Sequence, residues 1–118
     1  VPAIKILLSS VAEAFPGENF HCICGFCSDK EYLPMLDLLS RNLRSITLIP
    51  FVSERNVSPQ NILKQLRKPL ACPVYTASSF SEAFEKNKEK ALLICGSFYV
   101  IESAYKIISN LKKGSDSF

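Results

Sequence analysis

The stretch ALLICGS, residues 91–97, decides the fold predicted for this chain. Its first five residues form an uninterrupted apolar run, which is typical of a strand that is buried on both faces of a sheet. Gly96 and Ser97 then provide a tight turn and a helix cap, and an apolar helical pattern follows over residues 98–111. A buried strand that turns directly into a helix is the repeating unit of parallel α/β sheets.

The rest of the chain repeats this alternation of helices and strands. Earlier strands are predicted at residues 20–26, 45–52 and 73–76. Helices are predicted from Pro2 to Phe15, from about residue 30 to 43, from 58 to about 69, and from Ser79 or Ser81 onward. The spacing of the first helix places Phe15 on one apolar face together with Ile4, Leu7, Leu8 and Val11. The order α-β-α-β-α-β-α-β-α predicts an α/β fold of three layers, with a mostly parallel sheet and helices on both faces.

Length and composition are those of one globular domain over residues 1–118. The chain has 118 residues, of which 47% are hydrophobic and 21% are charged, so it is not of the disordered class. Its 14 Lys and Arg against 11 Asp and Glu leave a net charge of +3, which does not favour a nucleic-acid partner. No apolar run reaches the roughly 20 residues that a membrane span needs. The basic residues near the third and fourth helices are interpreted as a solvated face: Lys64, Arg67, Lys68, Lys86, Lys88 and Lys90.

The amino terminus and the cysteines indicate the cellular compartment. Residue 1 is Val, and no basic stretch with an apolar core and a small-residue cleavage site follows it. We therefore expect no secretory precursor, and a fragment of a longer chain is one interpretation. The five cysteines are an odd number, which favours reduced and partly buried thiols in a cytoplasmic protein over a disulfide framework.

Two turns are candidates for ligand binding, because ligands of open parallel sheets bind beyond the carboxyl ends of the strands. The first is GFCSDKE at residues 25–31, and the second is GSFY at residues 96–99. Free backbone N–H groups and the helix dipole favour an anion at such turns. Lys30 adds a positive charge and Ser97 adds a hydroxyl donor, which together suit a carboxylate or a phosphate. The alternative is that Gly96-Ser97 is an ordinary helix cap and that residues 29–31 are a solvated first helical turn.

At these turns the sequence resembles the folylpolyglutamate synthases and dihydrofolate synthases. Residues 91–100 (ALLICGSFYV) resemble the apolar strand, Gly-Ser and aromatic pattern near the end of that family. Residues 23–31 (ICGFCSDKE) resemble its strand, Gly and Asp-Lys-Asp signature, and Met35-Leu36 follows as in the family. The opening helix, residues 2–15, resembles the one that follows the family's Asp-Gly-Ala-His-Asn motif. The resemblance therefore covers nearly the whole chain in order.

The resemblance implies a Rossmann-like C-terminal domain of a Mur-ligase relative. In such enzymes ATP phosphorylates a carboxylate of a folate or dihydropteroate substrate, and the amine of an incoming glutamate then displaces the phosphate to form an amide. An N-terminal ATPase domain holds ATP and Mg²⁺, and the C-terminal domain closes over the nucleotide and helps to hold glutamate. The chain has no GxxxxGK[ST] phosphate loop, and the Asp-Gly-Ala-His-Asn motif is absent because its place precedes Val1. The resemblance therefore implies that the ATP-binding domain is missing here, that this fragment has no catalytic residue of its own, and that it is inactive in isolation.

Four residues carry over from the family as substrate-binding positions. Lys30 would face a carboxylate of the incoming glutamate, and Ser97, after Gly96, would hydrogen-bond the same group. A cation and a hydroxyl can orient a carboxylate and leave its amine unhindered. Asp29 would fix Lys30 or the turn. Two departures from the family pattern are Glu31, where the family usually has Asp, and Glu102, where it commonly has a small residue.

Other patterns in the sequence point to different classes of function. Cys24 and Cys27 form a C-x-x-C pair at a strand-to-helix junction, as in thioredoxin-like redox domains, although Ser28-Asp29 after it would place an anion beside the thiols. A zinc site that combines His21 with the neighbouring cysteines is disfavoured, because alternate strand residues point to opposite faces. A non-catalytic regulatory α/β domain is the remaining alternative, with Asp29 in roughly the place of a phosphorylated residue but no companion acidic cluster before it.

Overall fold

A computed structural model describes residues 2–26, 32–50 and 56–96 of the chain. Within these ranges helices and strands alternate as the sequence predicts. The elements are α1 (Pro2–Ala14), β1 (His21–Gly25), α2 (Tyr32–Asn42), β2 (Ser45–Leu48), α3 (Pro59–Gln65), β3 (Val74–Thr76), α4 (Phe80–Asn87) and β4 (Leu92–Gly96).

All four strands are parallel and lie in the order β3-β2-β1-β4. A helix connects each strand to the next one along the chain, which is the connection that parallel neighbours require. β1 therefore lies in the interior of the sheet, with β2 on one side and β4 on the other. This arrangement confirms the α/β fold class and the parallel sheet predicted from the alternation.

Two apolar clusters cover the two faces of the sheet. The first joins β1 and β2 to α1, α2 and α3, and the buried residues that form it are Cys22, Cys24, Phe26, Leu36, Leu39, Ile46, Leu48, Val57 and Ile62. The second joins β1 and the end of β2 to α4, and its buried residues are Ile23, Ile49, Ala77, Phe80 and Ala83. Helices thus lie on both faces and the three layers are present. The strands read as continuous apolar runs because both of their faces are covered.

Serine caps fix where α3 and α4 begin. The Ser58 hydroxyl accepts a hydrogen bond from the Asn61 backbone N–H, and Pro59 takes the first helical position, where an N–H would have no partner. The Ser79 hydroxyl accepts in the same way from the Glu82 backbone N–H at 3.1 Å. These starts agree with the sequence prediction, which left Ser79 and Ser81 as alternatives.

The structure departs from the sequence prediction at several boundaries. Phe15 was expected on the buried face of the first helix, but α1 ends before it and its side chain is 57% exposed, resting edge-on against Phe20. β2 was expected to continue to residue 52, but it ends at Leu48, two residues before Pro50, whose missing N–H cannot serve a sheet ladder. α3 ends at Gln65 because Leu66 is already extended. The final helix predicted over residues 98–111 lies outside the described residues.

Within the described ranges, every helix is too short or too polar to cross a lipid bilayer.

The packing of α2 on the sheet can be tested with Leu39→Ala. Leu39 is fully buried in the first cluster, so we expect the free energy of unfolding to fall by about 2–5 kcal/mol through lost burial and a residual cavity. Leu63→Ala on α3 is the matched control, since Leu63 is 38% exposed and should cost less than about 1 kcal/mol. Urea denaturation followed by circular dichroism measures both values. Equal losses in the two variants would contradict the described packing.

Candidate functional site

The carboxyl ends of β1 and β4 lie side by side. Gly25 of β1 and Gly96 of β4 are directly paired in the parallel register, as are the two residues before each of them. The two turns nominated by the sequence therefore leave the sheet from adjacent positions on one edge. This is the edge at which ligands of open α/β sheets bind.

Three of the four predicted site residues fall outside the described residues. Lys30 and Asp29 belong to residues 27–31, and Ser97 begins the last undescribed segment, while Gly96 is the final residue of β4. The grouping of Lys30 with Ser97 remains a prediction. One condition on which it depends is met, because the strands that precede the two residues are parallel neighbours.

The backbone on both sides of the first turn is well anchored. Phe26 directly follows β1, is 2% exposed, and its carbonyl accepts a hydrogen bond from the Val57 backbone N–H at 3.2 Å. Its ring stacks on Tyr32, the first residue of α2, with 6.0 Å between the ring centroids. The Tyr32 hydroxyl in turn donates to the Gln65 side-chain carbonyl at 2.9 Å, which ties the start of α2 to the end of α3. The described residues that flank positions 27–31 are therefore packed and hydrogen-bonded to their neighbours.

The neighbouring helix starts on the same edge already have partners from within the chain. The Glu82 carboxylate accepts hydrogen bonds from the backbone N–H and the hydroxyl of Ser78, at the start of α4, and from Lys86 at 3.0 Å. These donors lower the pKa of Glu82 from 4.5 to about 2, with the Ser78 hydroxyl the largest cause. At the start of α3, the Ser58 hydroxyl accepts a hydrogen bond from the Asn61 backbone N–H. Because the starts of α3 and α4 already have acceptors from within the chain, we expect an external anion at this edge to bind at the turns after β1 and β4.

The Glu82 interaction can be tested through the pH dependence of stability. The pKa of Glu82 in the folded chain lies below its ordinary value of 4.5, so the carboxylate stabilises the fold above about pH 4.5. That contribution is lost as the pH falls from about 4.5 toward 2. We expect Glu82→Gln to flatten the decline in stability over this interval, as measured by thermal unfolding at successive pH values. Glu89→Gln, an exposed control just beyond α4, should leave the decline unchanged. The same flattening in both variants would contradict the assignment.

The cysteines of β1 lie in the apolar core. Cys22 and Cys24 are 1% and 0% exposed and face the cluster that α1, α2 and α3 cover, whereas His21 lies among residues at the opposite face. This alternation agrees with the sequence argument against a zinc site that would combine them. Cys72 is half-buried, and burial raises the pKa of its thiol. Cys27 lies outside the described residues.

A second polar group, which the sequence does not predict, lies at the opposite edge of the sheet. His21, the first residue of β1, shares a hydrogen bond of 2.6 Å between its Nδ1 and the hydroxyl of Ser45, the first residue of β2. Two of the basic residues assigned to a solvated face, Lys86 and Lys90, line a pocket here together with Arg44. No spacing in the sequence connects these residues. Only the strand order brings them together.

Comparison with solved structures confirms the predicted fold. The chain superposes on the crystal structure of a bifunctional folylpolyglutamate synthase/dihydrofolate synthase from Yersinia pestis c092, complexed with AMPPNP and Mn ion, with a TM-score of 0.75 and 19% sequence identity. The match covers 91% of this chain and 26% of the Yersinia chain. No family model and no curated protein matches the sequence. At this identity the likeness establishes a common fold, and the chain spans about a quarter of the length of that enzyme.

Proposed function

We propose that this chain is the C-terminal domain of an ATP-dependent ligase that joins glutamate to a carboxylate of a folate or dihydropteroate. The observation that carries the proposal is the direct pairing of Gly25 with Gly96 at the carboxyl edge of a parallel sheet. The two segments that resemble the folate ligases in sequence, residues 23–31 and 91–100, each contain one of these glycines. They lie within a fold that a folylpolyglutamate/dihydrofolate synthase shares.

In this proposal the chain positions glutamate and does not activate the acceptor carboxylate. The ligation forms an amide bond with ADP and phosphate as products, after ATP has phosphorylated the folate carboxylate. The sequence contains no phosphate-binding GxxxxGK[ST] loop, so ATP and Mg²⁺ would be held mainly by a separate N-terminal domain. The Yersinia enzyme, with its AMPPNP and Mn ion, is consistent with nucleotide and metal use in a protein that contains this fold. A cytoplasmic location is part of the same proposal.

Lys30 and Ser97 are the residues proposed to hold the incoming glutamate. Both follow strands that end at the same edge, and both belong to turns that lead toward helices in the predicted pattern. The Lys30 ammonium would pair with one carboxylate of glutamate, and the Ser97 hydroxyl would donate to the same group. Asp29 would orient Lys30, and Gly96 would let the chain turn sharply after β4. Glutamate held in this way would present its amine to the activated carboxyl group.

The test is glutamate-dependent ligation by the full-length protein that contains this chain. We expect Lys30→Ala and Ser97→Ala each to raise the KM for glutamate by about tenfold or more, because each removes a hydrogen bond to a charged group. The KM for ATP should change little. Lys5→Ala and Ser10→Ala, two exposed positions on α1, are the matched controls and should behave as the unaltered protein does. The chain on its own serves as the reference for background and should show no turnover.

Two results would contradict the proposal at different levels. Unchanged kinetics in both Lys30→Ala and Ser97→Ala would remove the site assignment and leave the ligase function standing. The absence of any ATP- and glutamate-dependent ligation by the full-length protein would remove the function itself, and would favour the alternative of a non-catalytic regulatory α/β domain.

The burial of Cys24 weighs against the thiol redox alternative. A redox-active C-x-x-C pair needs an accessible thiolate of lowered pKa, whereas Cys24 lies inside β1 with no exposed surface. We expect Cys24 and Cys22 to resist alkylation by iodoacetamide in the folded chain at neutral pH, and to react only after denaturation. Mass-spectrometric mapping of the labelled peptides measures this, with the half-buried Cys72 as the internal comparison. Rapid labelling of both Cys24 and Cys27 would support the redox function in place of the ligase domain.

A further inference from the structure

A pocket of about 700 Å³ lies at the amino-terminal edge of the sheet, on the face covered by α4. We call it the amino-edge pocket. Ser45 and Thr47 of β2 and Tyr75 of β3 contribute to one wall, and residues from the carboxyl-terminal end of α4 contribute to another. The volume is within the range of pockets that hold small organic ligands, roughly 300–1,000 Å³. This pocket lies at the end of the strands opposite to Gly25 and Gly96.

A buried hydroxyl in the pocket has no partner within the described part of the chain. Thr47 lines the pocket and is only 4% exposed, yet its side chain makes no hydrogen bond to any described residue. Most buried side-chain polar atoms in proteins are hydrogen-bonded, and an unsatisfied one is costly. Ser45, two residues earlier on the same face of β2, has its hydroxyl bound to His21. The Thr47 hydroxyl, which is unpaired among the described residues, is therefore available to a bound molecule.

The charged residues described in the lining of the pocket are all cations: Arg44, Lys86 and Lys90. Lys86 forms an ion pair with Glu82 at 3.0 Å. The Lys90 ammonium donates only to the neutral Asn87 side-chain carbonyl, at 3.3 Å, and Arg44 forms no ion pair with the described residues. Two positive charges at this site thus lack a carboxylate partner from the described part of the chain.

Backbone hydrogen bonds fix the main chain of the two cationic residues beside the pocket. The Arg44 backbone N–H donates to the Phe20 carbonyl at 2.8 Å, and the Lys90 N–H donates to the Asn87 carbonyl at 2.9 Å. Both charges act on the same imidazole, since burial, Lys90 and Arg44, in that order, lower the pKa of His21. His21, Arg44 and Lys90 come from three distant parts of the chain and lie together at the amino-terminal edge of the sheet.

We propose that the amino-edge pocket binds the phosphate group of a small phosphorylated molecule. Arg44 presents a planar fork of donors that matches a phosphate, Lys90 adds a second charge, and the Thr47 hydroxyl donates a further hydrogen bond. The exposed ring of Tyr75 and the neighbouring Pro73 offer an apolar surface to the organic part of the ligand. This site is independent of the proposed glutamate site, because it lies at the other edge of the sheet and uses none of the same residues.

The test is NMR titration of the isotope-labelled chain with inorganic phosphate and, separately, with adenosine monophosphate. We expect both probes to shift the amide signals of Ser45, Thr47 and Lys90, with the nucleotide binding more tightly because it also contacts the apolar surface. Arg44→Ala should weaken binding of either probe by about tenfold or more, since it removes hydrogen bonds between charged groups. Thr47→Val, which keeps the size of the side chain, should weaken binding by a few fold. The amide spectrum of each variant verifies that it remains folded.

Matched controls separate this site from general attraction to basic residues. Arg67→Ala, an exposed arginine away from the pocket, should leave binding unchanged, and so should Lys30→Ala and Ser97→Ala. The proposal would be overturned if neither probe shifted the pocket amides, or if Arg44→Ala and Arg67→Ala weakened binding equally. A loss of glutamate-dependent ligation in Lys30→Ala with phosphate binding preserved would support both sites separately.

Discussion

The interior position of β1 in the parallel sheet is the constraint on which the rest of the structure depends. Its three central residues, Cys22, Ile23 and Cys24, have at most 1% of their surface exposed, and they alternate between the two apolar clusters. β1 pairs with β2 on one side and β4 on the other, so it sets the register of both neighbours. Each of the two sites considered above includes a segment adjoining one of its ends, with His21 at one edge and Gly25 at the other.

The two edges of such a sheet offer an anion different physical means of binding. At the carboxyl edge helices begin, so their N–H groups and dipoles favour negative charge without any charged side chain. Glu82 uses one of these positions from within the chain. At the amino edge helices end, and their exposed carbonyls repel an anion. Binding there must come from cationic side chains, which is the part that Arg44 and Lys90 play in the amino-edge pocket.

Much of the fold follows from local patterns in the sequence. Apolar runs locate the strands, and Ser-Pro at 58–59 marks the start of α3, because side-chain capping and the fixed proline dihedral act within a few residues. Boundaries were less accurate where they depend on neighbours. β2 ends at Leu48, earlier than its β-branched sequence predicts, because Pro50 has no N–H to offer a sheet ladder. Phe15 looked like a core residue from its spacing, but the helix stops before it.

The sequence by itself determined the order of the elements, the parallel direction of the strands and the position of two Gly-containing turns directly after strands. Each of these follows from hydrophobic periodicity and from the crossover that parallel strands require. Only the tertiary structure decided that His21, Arg44 and Lys90 meet at one pocket. These residues belong to segments that become adjacent only in the strand order β3-β2-β1-β4. The physical reason is that periodicity reports which face of an element is buried. Which elements become neighbours is set by the packing of the whole sheet.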